Sequence, residues 1–107
     1  MAPTLASTTA GGEDIKIPGD LRFTISNPPN PQAYAITSQT FVVMYQDPCK
    51  AGASSQVAKG LKAFITYALG DGQNALAQLQ YAKLPSAIES QAKAQISKLQ
   101  CNGKAVS

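Results

Sequence analysis

The sequence predicts a small α/β fold with two strands and about three helices. Three observations carry that expectation. Leu21, Phe23 and Ile25 alternate with Arg22, Thr24 and Ser26, the period-two pattern of a half-buried strand. Phe41-Val42-Val43-Met44-Tyr45 is an unbroken apolar run, as in a central strand buried on both faces. Val57, Leu61, Phe64, Ile65 and Ala68 fall at helical spacing and make one apolar stripe.

Taken in order, the chain opens with small polar residues. Thr4 caps a helix of one or two turns, and Gly11-Gly12 stops it. Pro18-Gly19 marks a turn ahead of the first strand. Asn27-Pro28-Pro29-Asn30-Pro31 ends that strand, because proline cannot donate to a ladder and holds its predecessor extended. The chain then crosses to the second strand, which Asp47-Pro48 stops.

Ser54 or Ser55 caps the long helix, whose solvated faces carry Lys59, Lys62 and Thr66. Gly70-Asp71-Gly72 separates it from a short helix bearing Ala75, Leu76 and Leu79. Leu84-Pro85-Ser86 opens the last helix, with Ser86 and Glu89 at the spacing of a capping box and Ile88, Ala92, Ile96 and Leu99 on one face. One core is expected, built from Phe41, Val43, Leu61, Phe64, Ile65, Leu76, Ile88, Ile96 and Leu99.

That core is thin. The apolar fraction is 44%, but 17 of those residues are alanine, and Val, Ile, Leu and Phe together number 22 of 107. This lies close to the roughly 20% below which chains tend to disorder. A core this thin relies on a cross-link or a partner surface, and because two strands do not by themselves make a sheet with two buried faces, they either join strands from further chain or form an unusually small α+β unit.

The cysteines supply the cross-link. Cys49 follows the second strand and Cys101 the last helix, placements that tie two element ends together as a disulfide. Closing a loop of about 53 residues stabilises by about 4 kcal/mol in the chain-entropy model, and a bridge implies an oxidising compartment.

Several function classes are excluded. Without histidine there is no His-based triad and no imidazole metal site, and two cysteines this far apart do not make a zinc site. Glu13, Asp14, Asp20, Asp47, Asp71 and Glu89 form no catalytic motif, and phosphate-loop glycine spacings are missing. We therefore expect no catalytic residue, no metal, no cofactor and no enzyme. Net charge is +3, from scattered lysines with no cluster, so no nucleic-acid partner is expected. No apolar stretch reaches the length of a membrane span, and Met1-Ala2-Pro3-Thr4 carries no export signal.

One ordered set of motifs is more specific. Tyr34-Ala35-Ile36-Thr37-Ser38-Gln39-Thr40-Phe41, the helix from Val57 with Gly70-Asp71-Gly72-Gln73 after it, and Leu79-Gln80-Tyr81-Ala82-Lys83-Leu84-Pro85 follow one another. Ala2-Pro3-Thr4 and Leu21-Arg22-Phe23 precede them. This order resembles the carboxyl-terminal third of the periplasmic phosphate-binding proteins that feed the phosphate ABC importer, with Ala35 where proline is usual. The resemblance implies a segment of a two-lobed α/β solute-binding fold. Residues 1–33 would be the tail of the second lobe, 34–41 an interlobe crossover centred on Ala35, Ile36, Thr37 and Ser38, and 42–107 the strand and helices completing the first lobe.

It also implies an extracytoplasmic location, periplasmic or at the cell surface. The partners would be the remaining receptor chain, an ABC permease and, for the complete receptor, inorganic phosphate. That family's arginine with Ser-Gly-Thr after it has no counterpart here, since Arg22 stands alone. No ligand-binding residue is therefore assigned. A small disulfide-stapled helical module that docks on a protein partner is the other reading of the same residues.

Overall fold

The computed structural model describes residues 2–107. It is a mixed fold of three α-helices, two short 3-10 turns and one two-stranded antiparallel sheet: α1 (Leu5–Ala10), α2 (Ser55–Leu69), α3 (Ser86–Ile96), β1 (Gln100–Cys101) and β2 (Lys104–Ala105). The 3-10 turns, Asp71–Ala75 and Ala77–Leu79, join α2 to α3.

The helices follow from local signals. Thr4 caps α1, its hydroxyl accepting from the Ser7 amide while Ser7 reaches back to the Thr4 amide. Ser54 caps α2 through the Val57 amide. Gln73 then fixes the exit from α2, its side-chain amide donating to the Ala68 carbonyl at 2.7 Å and its oxygen accepting from the Leu84 amide at 3.0 Å. The expected Ser86/Glu89 capping box does not form. Pro85 occupies the cap position, no side chain caps α3, and Glu89 pairs with Lys93 one turn on, a contact available only once the helix exists.

Both predicted strands are corrected. Residues 21–25 keep the expected in-and-out alternation, with Ile25 buried and Arg22, Thr24 and Ser26 exposed. They form no ladder, because Leu21 at φ +60° and Asn27 at φ +51° turn the backbone out of the extended region at both ends. Residues 41–45 are not a buried central strand either. They lie outside any sheet, with Val42 68% and Val43 94% exposed, since among the described residues no neighbouring strand pairs with them. The two strands instead flank Asn102-Gly103, with Gln100 opposite Ala105 and Cys101 opposite Lys104. Asn102 at φ +52° and Gly103 at φ +81° have the paired positive φ of a type I′ hairpin turn.

The buried centre is small: Ala58, Leu99 and Val106, with Met44, Cys49, Ile96 and Cys101 packed around them. Ile96 and Leu99 were expected there. Phe41, Val43 and Phe64 were expected and are exposed. The buried face of α2 follows Ala58, Leu61, Lys62, Ile65 and Leu69, rotated by roughly 60° from the predicted stripe. Val57 and Phe64 therefore point outward.

The amino-terminal third lies against the rest. Tyr34 donates its amide to the Ser7 carbonyl, and the Thr9 hydroxyl donates to the Lys83 carbonyl. At Gly12 a β-carbon would stand 2.9 Å from Ile88 Cδ1 and from Pro85 Cγ, so only glycine lets α1 end this close to α3. The molecule is elongated, 48 × 28 × 18 Å, with a radius of gyration of 15.5 Å, where about 13 Å is usual for this length. Its accessible surface is 7236 Å², against about 5,700 Å² for a compact monomer of this mass.

Candidate functional site

The predicted pair Cys49 and Cys101 is a disulfide, with Cα atoms 4.9 Å apart. It sits beside a second fastening. The Asp47 carboxylate accepts three amide hydrogen bonds, from Lys50 at 3.1 Å, Asn102 at 2.9 Å and Gly103 at 2.8 Å. Asp47 thus caps its own turn with one oxygen and grips the hairpin tip across more than fifty residues. Gln46 adds a third tie, its carbonyl accepting from the Gln100 amide at 2.8 Å. The role of Asp47 was missed from sequence, although Asn102-Gly103 was a readable hairpin signal.

Desolvation pushes the Asp47 carboxyl upward, but the amides of Gly103, Asn102 and Lys50, with the Lys50 charge, outweigh it and hold the group below its ordinary value of 3.8. A carboxyl depressed in the folded state stabilises above its unfolded value, and that contribution disappears as pH falls through the folded one. Melting temperature measured from about pH 6 down to about pH 3 should therefore drop more for the native chain than for Asp47→Asn. The variant should also be the less stable of the two at pH 6, because its Nδ2 faces an amide donor. Parallel curves would remove Asp47 from the acid response.

Upstream of this junction the chain is pinned again at Thr37. That residue is buried, its hydroxyl donates to the Tyr34 carbonyl at 2.6 Å, and its methyl group faces Gly11. Its neighbours Ala35, Ile36 and Ser38 are exposed. The crossover residues are thus held against α1 by one side chain.

Between these anchors the apolar run lies at the surface. Among the described residues, no amide or carbonyl of 38–45 makes a backbone hydrogen bond. Met44 faces inward onto the core cluster. Phe41 meets Phe23 edge-on at 5.8 Å but stays half exposed, and Tyr45 is 71% exposed. Chemically this is an exposed apolar segment whose backbone donors and acceptors are free of backbone partners among the described residues.

No anion site accompanies it among the described residues. Among these, Arg22 is exposed and reaches only Asp20, at 3.7 Å. Lys59, Lys62 and Lys93 border an open depression of about 650 Å³ between α2 and α3. Two of these ammonium groups are already engaged, Lys62 by the Val106 carbonyl and Lys93 by Glu89, so they do not converge on a ligand. Among the described residues no cluster of carboxylates and cysteines could hold a metal ion. No helix described is long and apolar enough to cross a membrane. Comparison with protein-family models, curated proteins and solved structures gives no match to this chain.

Proposed function

We propose that this chain is the carboxyl-terminal segment of an extracytoplasmic phosphate-binding receptor that delivers inorganic phosphate to an ABC importer. In this reading it is a non-enzymatic piece of a two-lobed solute-binding protein. Residues 1–33 belong to one lobe, 42–107 complete the other, and Ala35, Ile36, Thr37 and Ser38 carry the chain between them. One observation supports it above the rest: the 41–45 run is apolar, largely exposed and without any ladder. That is the state of a sheet strand whose neighbours are supplied by another part of the protein. The excess exposed surface has the same origin, and the disulfide suits an oxidising compartment.

Phosphate must be stripped of water and then met by several converging donors. The isolated chain offers one exposed arginine and scattered hydroxyls. Calorimetry with inorganic phosphate should accordingly detect no binding to the chain alone. Joined to about two-thirds of a receptor encoded upstream in the same reading frame, it should take part in one-to-one binding. Micromolar or tighter binding by the chain alone, or an upstream frame without an arginine and Ser-Gly-Thr, would overturn the proposal.

A further inference from the structure

The asparagines of the chain differ in what their successors permit. Asn27 and Asn30 precede proline, which has no amide hydrogen to lose. Asn74 precedes Ala75, whose β-carbon crowds the peptide nitrogen. Asn102 precedes Gly103, the least hindered nitrogen a chain can offer to a neighbouring side chain. We propose that Asn102 is a self-modification site, converted to aspartate or isoaspartate when the hairpin opens and held back by the Asp47 grip while it is closed.

The reaction uses only this dipeptide and water, and Asn102 is exposed to water. The Gly103 nitrogen loses its proton and attacks Cγ of Asn102. A new carbon–nitrogen bond forms there, the bond from Cγ to Nδ2 breaks, and Nδ2 leaves as ammonia with the proton. Water then opens the resulting imide at either carbonyl. One opening leaves aspartate, the other isoaspartate with the backbone routed through the side chain. Nothing is oxidised or reduced.

The closed hairpin opposes this in two ways. With Asn102 at φ +52° and Gly103 at φ +81°, the turn is type I′, whose first central residue has ψ near about +30°. In an L-residue that angle turns the following nitrogen away from Cβ, whereas ring closure needs it beside Cβ. The peptide between 102 and 103 must therefore flip, and a flip takes the Gly103 amide off Asp47. That amide donates to Oδ2 at 2.8 Å and the Asn102 amide to Oδ1 at 2.9 Å, both bonds of the strong, charge-assisted kind. The second obstacle is electrostatic. The proton that must leave the Gly103 nitrogen lies against a carboxylate that the same amides keep more acidic than usual. Such a group is a poor base for an amide, and an amide anion beside it would bring two negative charges together.

The product closes less firmly. Aspartate at 102 adds a carboxylate to the residue whose amide Asp47 holds. Isoaspartate lengthens the backbone of a two-residue turn whose flanks pair Gln100 with Ala105 and Cys101 with Lys104. An opening of the hairpin is thereby recorded as a covalent change beside the Cys49–Cys101 bridge.

Incubation of the oxidised full chain at one neutral pH, followed by peptide mapping for the gain of about 1 Da that turns an amide into a carboxyl, tests the proposal. Modification is expected at Asn102 ahead of Asn74, and slower by about tenfold or more in buffer than in guanidinium chloride, where no grip exists. Asp47→Ala should raise the rate in buffer by about tenfold, the scale of removing a hydrogen bond to a charge from a local opening equilibrium. Ser54→Ala, which removes the cap of α2 and leaves Asp47 in place, should not raise it. If Asp47→Ala does not fold, hydrogen exchange in the native chain decides instead: the Gly103 amide should be protected by a factor similar to that by which buffer slows the modification. Equal rates in buffer and denaturant, a rate in folded Asp47→Ala no higher than native, an equal rise in Ser54→Ala, or an unprotected Gly103 amide would each overturn it. These outcomes are independent of the phosphate experiment, which tests the receptor reading separately.

Discussion

Replacing both Cys49 and Cys101 with alanine is expected to lower stability by about 4 kcal/mol, the cost of releasing a closed loop of about 53 residues in the unfolded chain. Domains of this size have only about 5 to 15 kcal/mol in total. The loss falls on a molecule whose buried apolar centre is only Ala58, Leu99 and Val106 among the described residues, with both cysteines packed against it. The bridge thus fastens the one place where the turn at Pro48, helix α2 and the β1–β2 hairpin meet. Urea unfolding of the oxidised chain and of the double variant should show the midpoint moving to much lower urea, with part of the variant already unfolded in buffer. A shift below about 1 kcal/mol would mean that the unfolded chain keeps this loop closed without the bridge. Asp47 and Gln46 would then be the principal fastenings.

Leu99→Ala should cost about 2 to 5 kcal/mol, the usual sum of lost transfer energy and residual cavity. Leu99 is 3% exposed and lies between Ala58 and Val106. Its surroundings have little freedom to close the gap. Val106 is fixed by the hydrogen bond its amide donates to the Leu99 carbonyl, and Cys101 by the disulfide. Phe64→Ser is the informative comparison, because Phe64 is larger and sequence periodicity places it in the core. With 65% of its surface exposed, it should change stability by no more than about 0.5 kcal/mol. Thermal or urea unfolding of the two variants decides the matter. Equal losses would place both faces of α2 in the core.

The pattern of successes and corrections has one cause. Signals that act within a few residues were legible. Thr4 and Ser54 cap helices because a hydroxyl needs only an amide two or three positions away. The glycine pair ends α1, and the Gly70-to-Gly72 break ends α2. The Asn102-Gly103 hairpin signal is equally local. With only two cysteines in the chain, the disulfide had a single possible pairing.

Features that depend on distant partners were not legible. Apolar residues of α2 cover more than half of its circumference, so periodicity left several faces open. Contact with α3 and the hairpin selected the one through Ala58, Leu61, Ile65 and Leu69. The candidate site divided in the same way. Its composition, an uncharged apolar run free of proline and glycine, is plain in the sequence, whereas its exposure is not, since a strand becomes central only where neighbours exist to complete its ladder.

By itself, then, the sequence determined the helices, the caps of α1 and α2, the alternation at residues 21–25 and the cross-link, all through local geometry or a forced pairing. Only the tertiary structure decided which face of α2 is buried, that residues 41–45 stand unpaired at the surface, and that Asp47 grips the hairpin, because each of these depends on groups that folding alone brings together.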